Sequence, residues 1–471
     1  MNSRTVADVS TTNPSNEEVL AQYEIMGATE VGEIVKQARL AFEDWKSTSI
    51  HKRAEFMHNF ARELRGNKTN LARTCTREMG KPIKESLSEV EKCAWAIEYY
   101  GDNGPIFLND EALNTDARKT IIMFQPLGVI GSIMPWNFPY WQALRFAAPS
   151  LIAGNTIVLK PASATLQCGI EIENSFKNIN LPNGVFRTVV GDSRTAEALI
   201  DSDVNGVTFT GSVSVGAKVA SRATGQWKKC VLELGGSDPF IVCGDADIEK
   251  ASSGAVKGRF INCGQSCIAS KRFFVVKDRS KEFIEKSVQK TEKLVVGDPL
   301  SESTDIGPLV NESALKNIES LVQDAISTGA EVLVGGEPAK VNGKGYFYKP
   351  TILSRVSPKM RVAREEIFGP VAPVTVVEDE TEAITLANDS EYGLGASIWT
   401  DDLDEAERLS RAVESGIVTV NNVVASDPRV PFGGIKKSGF GRELSRYGML
   451  EFVNIKSIRF YDQLIHHHHV E

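Results

Sequence analysis

Short apolar runs alternate with helical patterns along the chain, and this alternation limits the possible folds more than any other feature. NTIVLKP (Asn155–Pro161), VNGVTFTGS (Val204–Ser212) and KCVLELGG (Lys229–Gly236) are such runs, each bounded by proline, serine or glycine. Helical stretches such as Cys168–Asn178 lie between them. Apolar strands separated by helices predict an α/β fold built on a parallel, doubly wound sheet.

The second half of the chain repeats the pattern. One helical face carries Ala314, Ile318, Leu321, Val322 and Ala325. Gly329 is expected to end that helix, and EVLVGG follows as a strand. A chain of 471 residues, 42% of them hydrophobic, is too long for one typical core, so we expect two large domains with a boundary near Gly235–Gly236.

Two further segments belong to neither pattern. RKTIIMFQPLGVI (Arg118–Ile130) and EFVNIKSIRFY (Glu451–Tyr461) both have the exposed alternation of strands. Such strands often pair across a subunit boundary, and an ordinary edge hairpin is an equally good interpretation of the pattern alone.

Composition excludes several classes of protein. The net charge is −8 and no Lys/Arg run has the character of a nucleic-acid footprint. No stretch reaches the roughly 20 apolar residues of a membrane span, and the first ten residues lack a signal-peptide core. The seven cysteines are odd in number, scattered and without a C-x-x-C pair. We therefore expect a cytoplasmic protein in a reducing compartment, without nucleic-acid or membrane partners.

Histidine is nearly absent from the body of the chain. Four of the six histidines form the run His466–His469, which we interpret as a tail, and the other two are His51 and His58. A histidine-ligated metal or a Cys-His dyad thus has almost no candidates, and we expect no metal site.

FINCGQSCIAS (Phe260–Ser270) contains two cysteines four residues apart, a spacing open to a metal site, a disulfide or a nucleophile. A nucleophilic Cys267 needs a base, and Glu233 lies between two leucines at the end of an apolar run. Burial would raise the pKa of that carboxyl towards neutrality, where it can act as a base. Alternatively, Glu233 forms a structural ion pair with a lysine and has no catalytic role.

Three further segments have the character of ligand-binding turns. Asn137 in MPWNFPYW can donate to an oxyanion together with the Cys267 N–H, unless this is only an aromatic core turn. Gly211 and Ser212 lie where a predicted strand ends and a predicted helix begins. The N-terminus of this helix could bind a phosphate group, or the two residues could form an ordinary capped turn. Lys160 ends another strand, where it binds a ligand or reaches solvent.

Together these segments resemble the aldehyde dehydrogenase superfamily. The resemblance covers nearly the whole chain through PWNFP, GNTIVLKPA, FTGS, LELGG, GQSC, EEIFGPV and PFGGIKKSGFGRE, in family order. It implies two Rossmann-like parallel-sheet domains and a small bridging or oligomerisation β element. The implied division is a cofactor domain (1–117 and 131–234), a catalytic domain (235–433), the bridge (118–130 and 434–465) and a tail (466–471).

The resemblance also implies roles for individual residues. Cys267 would be the nucleophile, Glu233 the general base and Asn137 the oxyanion donor, with Cys263 a bystander. Aldehyde oxidation would proceed through a thioester on Cys267 that water hydrolyses to a carboxylic acid. The implied NAD(P) contacts are Trp136, Lys160, Gly211, Ser212, Glu366 and Phe368.

Three alternative functional interpretations can be compared with this one. Aldehyde dehydrogenases that transfer the acyl group to coenzyme A typically lack a base at the position of Glu233, so its presence argues against them. An inactive scaffold would not need Cys267, Glu233 and Asn137 together. A cysteine hydrolase would need a histidine that the chain does not offer.

Cofactor and substrate preference depend on a few positions. NAD-preferring relatives often carry glutamate where this chain has Ser163, so we expect NADP to be preferred and NAD to remain possible. The phrases around LELGG and PFGG most resemble the succinate-semialdehyde dehydrogenase branch, in which Arg145 would bind the distal carboxylate.

Some members of that branch carry a second arginine where this chain has Ile261, and we expect Ser426 and Arg429 to compensate. Neutral aldehydes such as glyceraldehyde or lactaldehyde are the alternative substrates. The bridging strands favour a homodimer or homotetramer.

Overall fold

The structure is a computed structural model in which residues 8–461 are described; the expected tail at 466–471 lies outside them. The strands are β1 (Asp8–Thr12), β2 (Val19–Glu24), β3 (Glu111–Leu113), β4 (Lys119–Pro126), β5 (Val129–Ile133), β6 (Thr156–Lys160), β7 (Phe186–Thr188), β8 (Gly206–Thr210), β9 (Lys229–Glu233), β10 (Asp238–Val242), β11 (Ser270–Val276), β12 (Glu331–Val334), β13 (Pro338–Val341), β14 (Lys344–Tyr348), β15 (Thr351–Ser354), β16 (Val371–Val377), β17 (Tyr392–Gly393), β18 (Gly395–Trp399), β19 (Ile417–Val420), β20 (Ile435–Lys436), β21 (Gly439–Phe440) and β22 (Val453–Phe460).

The α-helices are α1 (Ala28–Ser47), α2 (Ile50–Gly66), α3 (Lys68–Met79), α4 (Ile83–Phe107), α5 (Pro139–Ala153), α6 (Leu166–Asn178), α7 (Ser193–Asp201), α8 (Val213–Thr224), α9 (Ile248–Phe260), α10 (Lys277–Thr291), α11 (Glu312–Ser327), α12 (Arg361–Arg364), α13 (Glu380–Asn388), α14 (Leu403–Ala412) and α15 (Ser445–Met449). Among the described residues, none of these helices combines the length and the apolar character that a membrane span needs.

The first large sheet has six strands in the order β21-β9-β8-β5-β6-β7, all parallel except β21. Its strands β6, β8 and β9 are the three apolar runs of the sequence analysis. Every residue of β6 is buried, and its side chains alternate between two clusters. Ile157 and Leu159 pack into one cluster and Val158 into the other, so both faces of the sheet are covered. The predicted doubly wound α/β fold is confirmed.

The second large sheet has seven strands in the order β12-β15-β16-β11-β10-β18-β19, with only the β12–β15 pair antiparallel. The predicted amphipathic helix is α11, which Asn311 caps by accepting a hydrogen bond from Ala314 N at 2.9 Å. The predicted strand EVLVGG is β12. The chain passes from the first sheet to the second between Glu233 and Asp238, across the Gly235–Gly236 pair.

A three-stranded antiparallel sheet, β22-β4-β3, joins the two exposed segments of the sequence analysis. They pair with each other from Lys119 opposite Phe460 to Pro126 opposite Val453. After β4 the chain turns at Gly128, which has a φ of 138°, and enters β5. Strand β5 belongs to the six-stranded sheet and not to the three-stranded one. A Cβ at Gly128 would lie 2.1 Å from Asn205 Oδ1, so only glycine fits there.

Helix α5 is buried along its whole length and follows the turn that carries Asn137. The carboxylate of Glu89 accepts hydrogen bonds from Tyr140 N at 2.9 Å and Trp141 N at 3.0 Å, where the helix begins. Glu89 also pairs with the fully buried ammonium of Lys81. A carboxylate at a helix N-terminus with its own counter-ion stabilises this turn and fixes the direction in which α5 leaves it.

Candidate active site

The loop of Cys267 connects α9 to β11 and is held by a buried arginine. The guanidinium of Arg259 donates to Gly264 O at 2.8 Å, Ser270 O at 3.0 Å and Gly369 O at 2.7 Å. Asn262 and Cys263 have φ of 51° and 55°, a conformation that costs non-glycine residues free energy. The arginine contacts therefore hold a loop whose backbone would otherwise relax.

Cys263 and Cys267 differ in access. Cys267 is half-buried and lines a cavity of about 780 Å³, whereas Cys263 is 1% exposed and packs into the core of the seven-stranded sheet. Burial raises the pKa of the Cys267 thiol to about 11, and the positive charges of Arg145 and Lys271 act in the opposite direction. Burial raises the pKa of Cys263 as well. Of the two, only Cys267 is open to a ligand.

Asn137 lies in the turn between β5 and α5, beside the nucleophile loop. Its side-chain Nδ2 donates to Gln265 O at 3.0 Å, and its backbone carbonyl oxygen accepts from Asn262 Nδ2 at 2.8 Å. The side chain is 3% exposed, so its orientation is fixed. One of the two amide protons is used in the bond to Gln265, and the second remains available to an oxyanion near Cys267.

Glu233 ends β9 and is 2% exposed. Within residues 8–461 neither carboxyl oxygen has a hydrogen-bond partner. Burial, followed by the nearby charge of Glu443, raises its pKa well above the usual range, while Arg145 and Arg442 act in the opposite direction. Sequence analysis left open an ion pair between Glu233 and a lysine. Within the described residues Glu233 forms no such pair.

Arg145 is buried in α5, not on a surface face of an amphipathic helix. Its Nε forms an ion pair with Glu443, and its guanidinium lies 4.6 Å from the centre of the Phe432 ring. The side chain is 2% exposed, and Nη2 has no hydrogen-bond partner among residues 8–461. Arg145 lines the same cavity as Cys267. A buried donor without a partner is costly, so a ligand oxygen here would be stabilising.

Lys271, which is fully buried, and Glu366, which is half-buried, form a second ion pair beside the loop of Cys267. Lys271 Nζ donates to Gly236 O at 2.7 Å, Cys267 O at 3.0 Å and Glu366 Oε1 at 2.6 Å. Glu366 also accepts from Gly236 N at 3.1 Å. Glu366 is therefore held next to the loop of Cys267.

Strand order creates a crevice beside these residues. From β5, the chain moves to β6 and β7 on one side and then crosses to β8 on the other. Ligands of open α/β sheets bind at such a switch point, outside the carboxyl ends of the strands. Trp136 follows β5, Lys160 ends β6, and Gly211 with Ser212 follow β8. The structure thus brings the four residues to one edge of the sheet.

The chemistry of this edge fits an anionic dinucleotide. Burial lowers the pKa of Lys160 to about 8, so a neighbouring anion would be favourable. Ser212 is the N-cap of α8 but makes no capping hydrogen bond, which leaves the helix N-terminus open to phosphate. Ser163 donates its hydroxyl to Gly191 O at 3.1 Å. Trp136 and Phe368 meet edge to face with centroids 5.7 Å apart.

The expected substrate residues separate into two groups. Arg145 and the buried Ser426 both line the cavity, as does Ile261. Arg429 is exposed, is not among the described side chains of the cavity wall, and donates from Nε to Asp427 Oδ1 at 2.9 Å. Its guanidinium lies 5.7 Å from the centre of the Trp95 ring.

Sequence reasoning missed several residues of the site: Lys92, Arg259, Asn262, Lys271 and Glu443. The basic residues among these are buried or half-buried, and each has at least one partner that is distant along the chain. A lysine in the apolar strand β11 was a signal for Lys271, because a buried ammonium needs a carboxylate.

Within residues 8–461 no group of three or more histidine, cysteine or acidic side chains is arranged to hold a metal ion.

Comparison with known proteins identifies the class. The model of the aldehyde dehydrogenase family matches residues 1–458, and the chain belongs to this family. Succinate semialdehyde dehydrogenase, NAD(P)+, Sad of Escherichia coli (strain K12) is 42% identical, over 95% of this chain and 96% of that protein. Succinate-semialdehyde dehydrogenase, NADP(+), of Deinococcus radiodurans is 41% identical, over 95% of this chain and 94% of that protein.

A solved structure is similar over almost the whole fold. The succinic semialdehyde dehydrogenase of Streptococcus pyogenes, in complex with NADP+, superimposes with a TM-score of 0.93 at 34% sequence identity. The match covers 96% of this chain and 100% of that chain. The protein is therefore an NAD(P)-dependent aldehyde dehydrogenase with the fold that the sequence predicted.

The pKa of Cys267 has a direct consequence for its reactivity. Only the thiolate reacts with iodoacetamide, and burial raises the pKa of this thiol to about 11. In the free protein, the alkylation rate should therefore rise about tenfold per pH unit between about pH 7 and about pH 10, without a plateau. Cys267→Ala is the control, because the other six cysteines are buried. A plateau with a midpoint below about pH 8 would contradict the analysis.

Proposed function

We propose that the protein oxidises succinate semialdehyde to succinate, with NADP preferred over NAD, through a thioester on Cys267. One observation carries the proposal: half-buried Cys267 and the unsatisfied guanidinium of Arg145 line the same cavity of about 780 Å³. A cavity with a nucleophile and a buried cation suits an aldehyde that bears a carboxylate.

In the first step, Cys267 Sγ attacks the carbonyl carbon of the aldehyde. The oxygen becomes an oxyanion that accepts hydrogen bonds from the second Nδ2–H of Asn137 and from the Cys267 N–H. The fixed amide of Asn137 supports this role, because its bond to Gln265 O orients the donor before the substrate binds. Positive charges at Arg145 and Lys271 favour the thiolate that attacks.

The cofactor, when bound, supplies the hydride acceptor. We propose that Lys160 and Ser163 contact its adenosine ribose, that Gly211 and Ser212 contact its pyrophosphate, and that Trp136 lines the groove. Glu366 would bind the nicotinamide ribose, and Phe368 would pack near the nicotinamide. The open N-terminus of α8 and the buried Lys160 support this assignment.

Hydrolysis then needs a base, and we assign this role to Glu233. Burial and Glu443 raise its pKa well above the usual carboxyl range, which makes it a stronger base than an exposed glutamate. Glu233 removes a proton from water, the hydroxide attacks the thioester carbon, and the C–S bond breaks to release the acid and Cys267.

The distal carboxylate of the substrate would accept hydrogen bonds from Arg145 Nη2 and from Ser426 at the cavity wall. Arg429 fits this role less well, because it is exposed and paired with Asp427. The names of the relatives do not favour glyceraldehyde or lactaldehyde as the substrate.

We also propose a homodimer or homotetramer in the cytoplasm. The sheet β22-β4-β3 has β22 at one edge, and Ile455, Phe460 and Leu113 expose apolar side chains on it. Within residues 8–461 the outer edge of β22 pairs with no other strand, and such an edge with apolar side chains supports pairing with a second copy of the chain. The two large sheets and this smaller sheet support the proposed division into a cofactor domain, a catalytic domain and a bridge. The predicted bounds differ from the sheets at three strands, because β3 belongs to the bridging sheet and β5 and β21 belong to the six-stranded sheet.

A matched pair of aldehydes tests the substrate. Succinate semialdehyde and its methyl ester, methyl 4-oxobutanoate, differ by one charge at the distal end. With NADP, kcat/KM should be about ten- to a hundredfold higher for the acid, which is the effect of a single charge-assisted pair of about 1.5–3 kcal/mol. Absorbance of the reduced cofactor gives the rates. Equal kcat/KM values, or a preference for the ester, would contradict the substrate assignment.

Ser163→Glu tests the cofactor assignment. A carboxylate at this position would repel the 2′-phosphate of NADP, so the ratio of kcat/KM with NADP to kcat/KM with NAD should fall by about tenfold or more. Ser163→Gln has almost the same size without the charge and should retain more of the NADP preference. A wild-type enzyme with about tenfold better kcat/KM for NAD would show that the assignment is wrong.

A further inference from the structure

Lys92 lines the cavity of Cys267 from helix α4, and none of the roles described above uses it. The cavity residues of this helix are Lys84, Glu85, Ser88, Glu89 and Lys92. Their spacing puts them on one face, and Lys92 lies two turns, about 12 Å, beyond Lys84. Its side chain is half-buried, so its ammonium is partly removed from water.

Among residues 8–461, the ammonium of Lys92 contacts a hydroxyl and an aromatic ring, both of them neutral. Nζ donates to Ser426 Oγ at 2.7 Å and lies 4.5 Å from the centre of the Trp141 ring. No carboxylate of the described chain forms an ion pair with it. An ammonium has three protons, so at least one remains for a ligand. A half-buried cation held by a hydroxyl and an aromatic face lacks its counter-ion.

The carboxylates near Lys92 are all engaged elsewhere. Glu89, one turn away on α4, pairs with Lys81 and accepts from the first amides of α5. Glu85 accepts from Asn262 N at 2.8 Å. Asp427, which follows Ser426, pairs with Arg429. Each of these carboxylates therefore already has a partner other than Lys92.

The groups around Lys92 on the cavity wall also bear on what it could bind. Ser426 accepts the hydrogen bond from Lys92, so its own hydroxyl proton remains free to donate. Burial, followed by the charge of Arg145, lowers the pKa of Lys92 to about 8, whereas Asp427 and Glu89 act in the opposite direction. Ile261, on the same cavity, contributes only apolar surface.

We propose that Lys92 determines substrate specificity: its ammonium and the Ser426 hydroxyl bind the distal carboxylate of an oxo acid. The inference deepens the proposed function and rests on it, because it names the residues that distinguish an acid from a neutral aldehyde. A carboxylate here would accept a charge-assisted hydrogen bond from Lys92 and a second one from Ser426. Lys92 thereby supplies a cation from α4 in addition to Arg145 of α5.

The test compares four proteins on succinate semialdehyde and on methyl 4-oxobutanoate: wild type, Lys92→Met, Lys92→Arg and Lys84→Met. Lysine and methionine have similar length, so the first variant removes the charge and keeps the apolar stem. Lys84 is the matched control, because it lies on the same helix face but pairs with Asp305 Oδ1 at 2.5 Å. The readout is the ratio of kcat/KM for the acid to kcat/KM for the ester.

In Lys92→Met this ratio should fall by about tenfold or more, mainly through a higher KM for the acid. Lys92→Arg should retain more of the ratio than Lys92→Met, and Lys84→Met should change it by less than about twofold. An unchanged ratio in Lys92→Met would overturn the inference while the proposed function stands. A wild type without preference for the acid would overturn both.

A second measurement applies even if Lys92→Met is inactive. Bound succinate should protect Cys267 from iodoacetamide, because Lys92 and Cys267 line the same cavity of about 780 Å³ and succinate would block access to the thiol. The succinate concentration needed for half-protection should rise by about tenfold in Lys92→Met and remain within about twofold in Lys84→Met. Equal half-protection concentrations in wild type and Lys92→Met would contradict a carboxylate site at Lys92.

Discussion

The ammonium of Lys271 connects the segments on which the site depends. It is fully buried at the start of β11 and holds Gly236, the carbonyl of Cys267 and the carboxylate of Glu366 at once. These groups come from the crossing between the two sheets, the nucleophile loop and the loop before β16. Gly235 permits the close approach, because a Cβ there would lie 2.2 Å from Glu366 Oε2. Lys271 therefore ties the crossing between the two sheets to the loop of Cys267.

A second set of buried charges surrounds Glu233, the base of the proposed scheme. Both carboxyls are buried, and the charge of Glu443 raises the pKa of Glu233, whereas Arg145, which forms an ion pair with Glu443, lowers the pKa of both. Burial raises the pKa of the carboxyl and of the Cys267 thiol alike, so neither group is ionised without cost. The positive charges of Arg145 and Lys271 reduce that cost at the thiol, while Asn137 is already oriented towards the loop. Catalysis in the proposed scheme thus depends on charges placed before the substrate enters.

Much of the fold was predictable because its signals are local. The apolar runs that became β6, β8 and β9 are bounded by turn residues, and the helix face of Ile318 and Val322 repeats with helical period. Lys92 and Lys271 were missed because their partners, Ser426 and Glu366, are 334 and 95 residues away along the chain. Pattern alone also could not decide between a surface and a buried Arg145. That depends on Glu443, which only the packed structure brings beside α5.

The central claim is that an acyl group forms on Cys267 and that Glu233 is needed to remove it. The most direct measurement is peptide mass mapping of Glu233→Gln after brief mixing with succinate semialdehyde and NADP and an acid quench. We expect one succinyl group on the peptide that contains Cys267, a burst of reduced cofactor and little further turnover, with no adduct in Cys267→Ala. Undiminished steady-state turnover in Glu233→Gln, or an acyl group on Cys263 instead, would contradict the account.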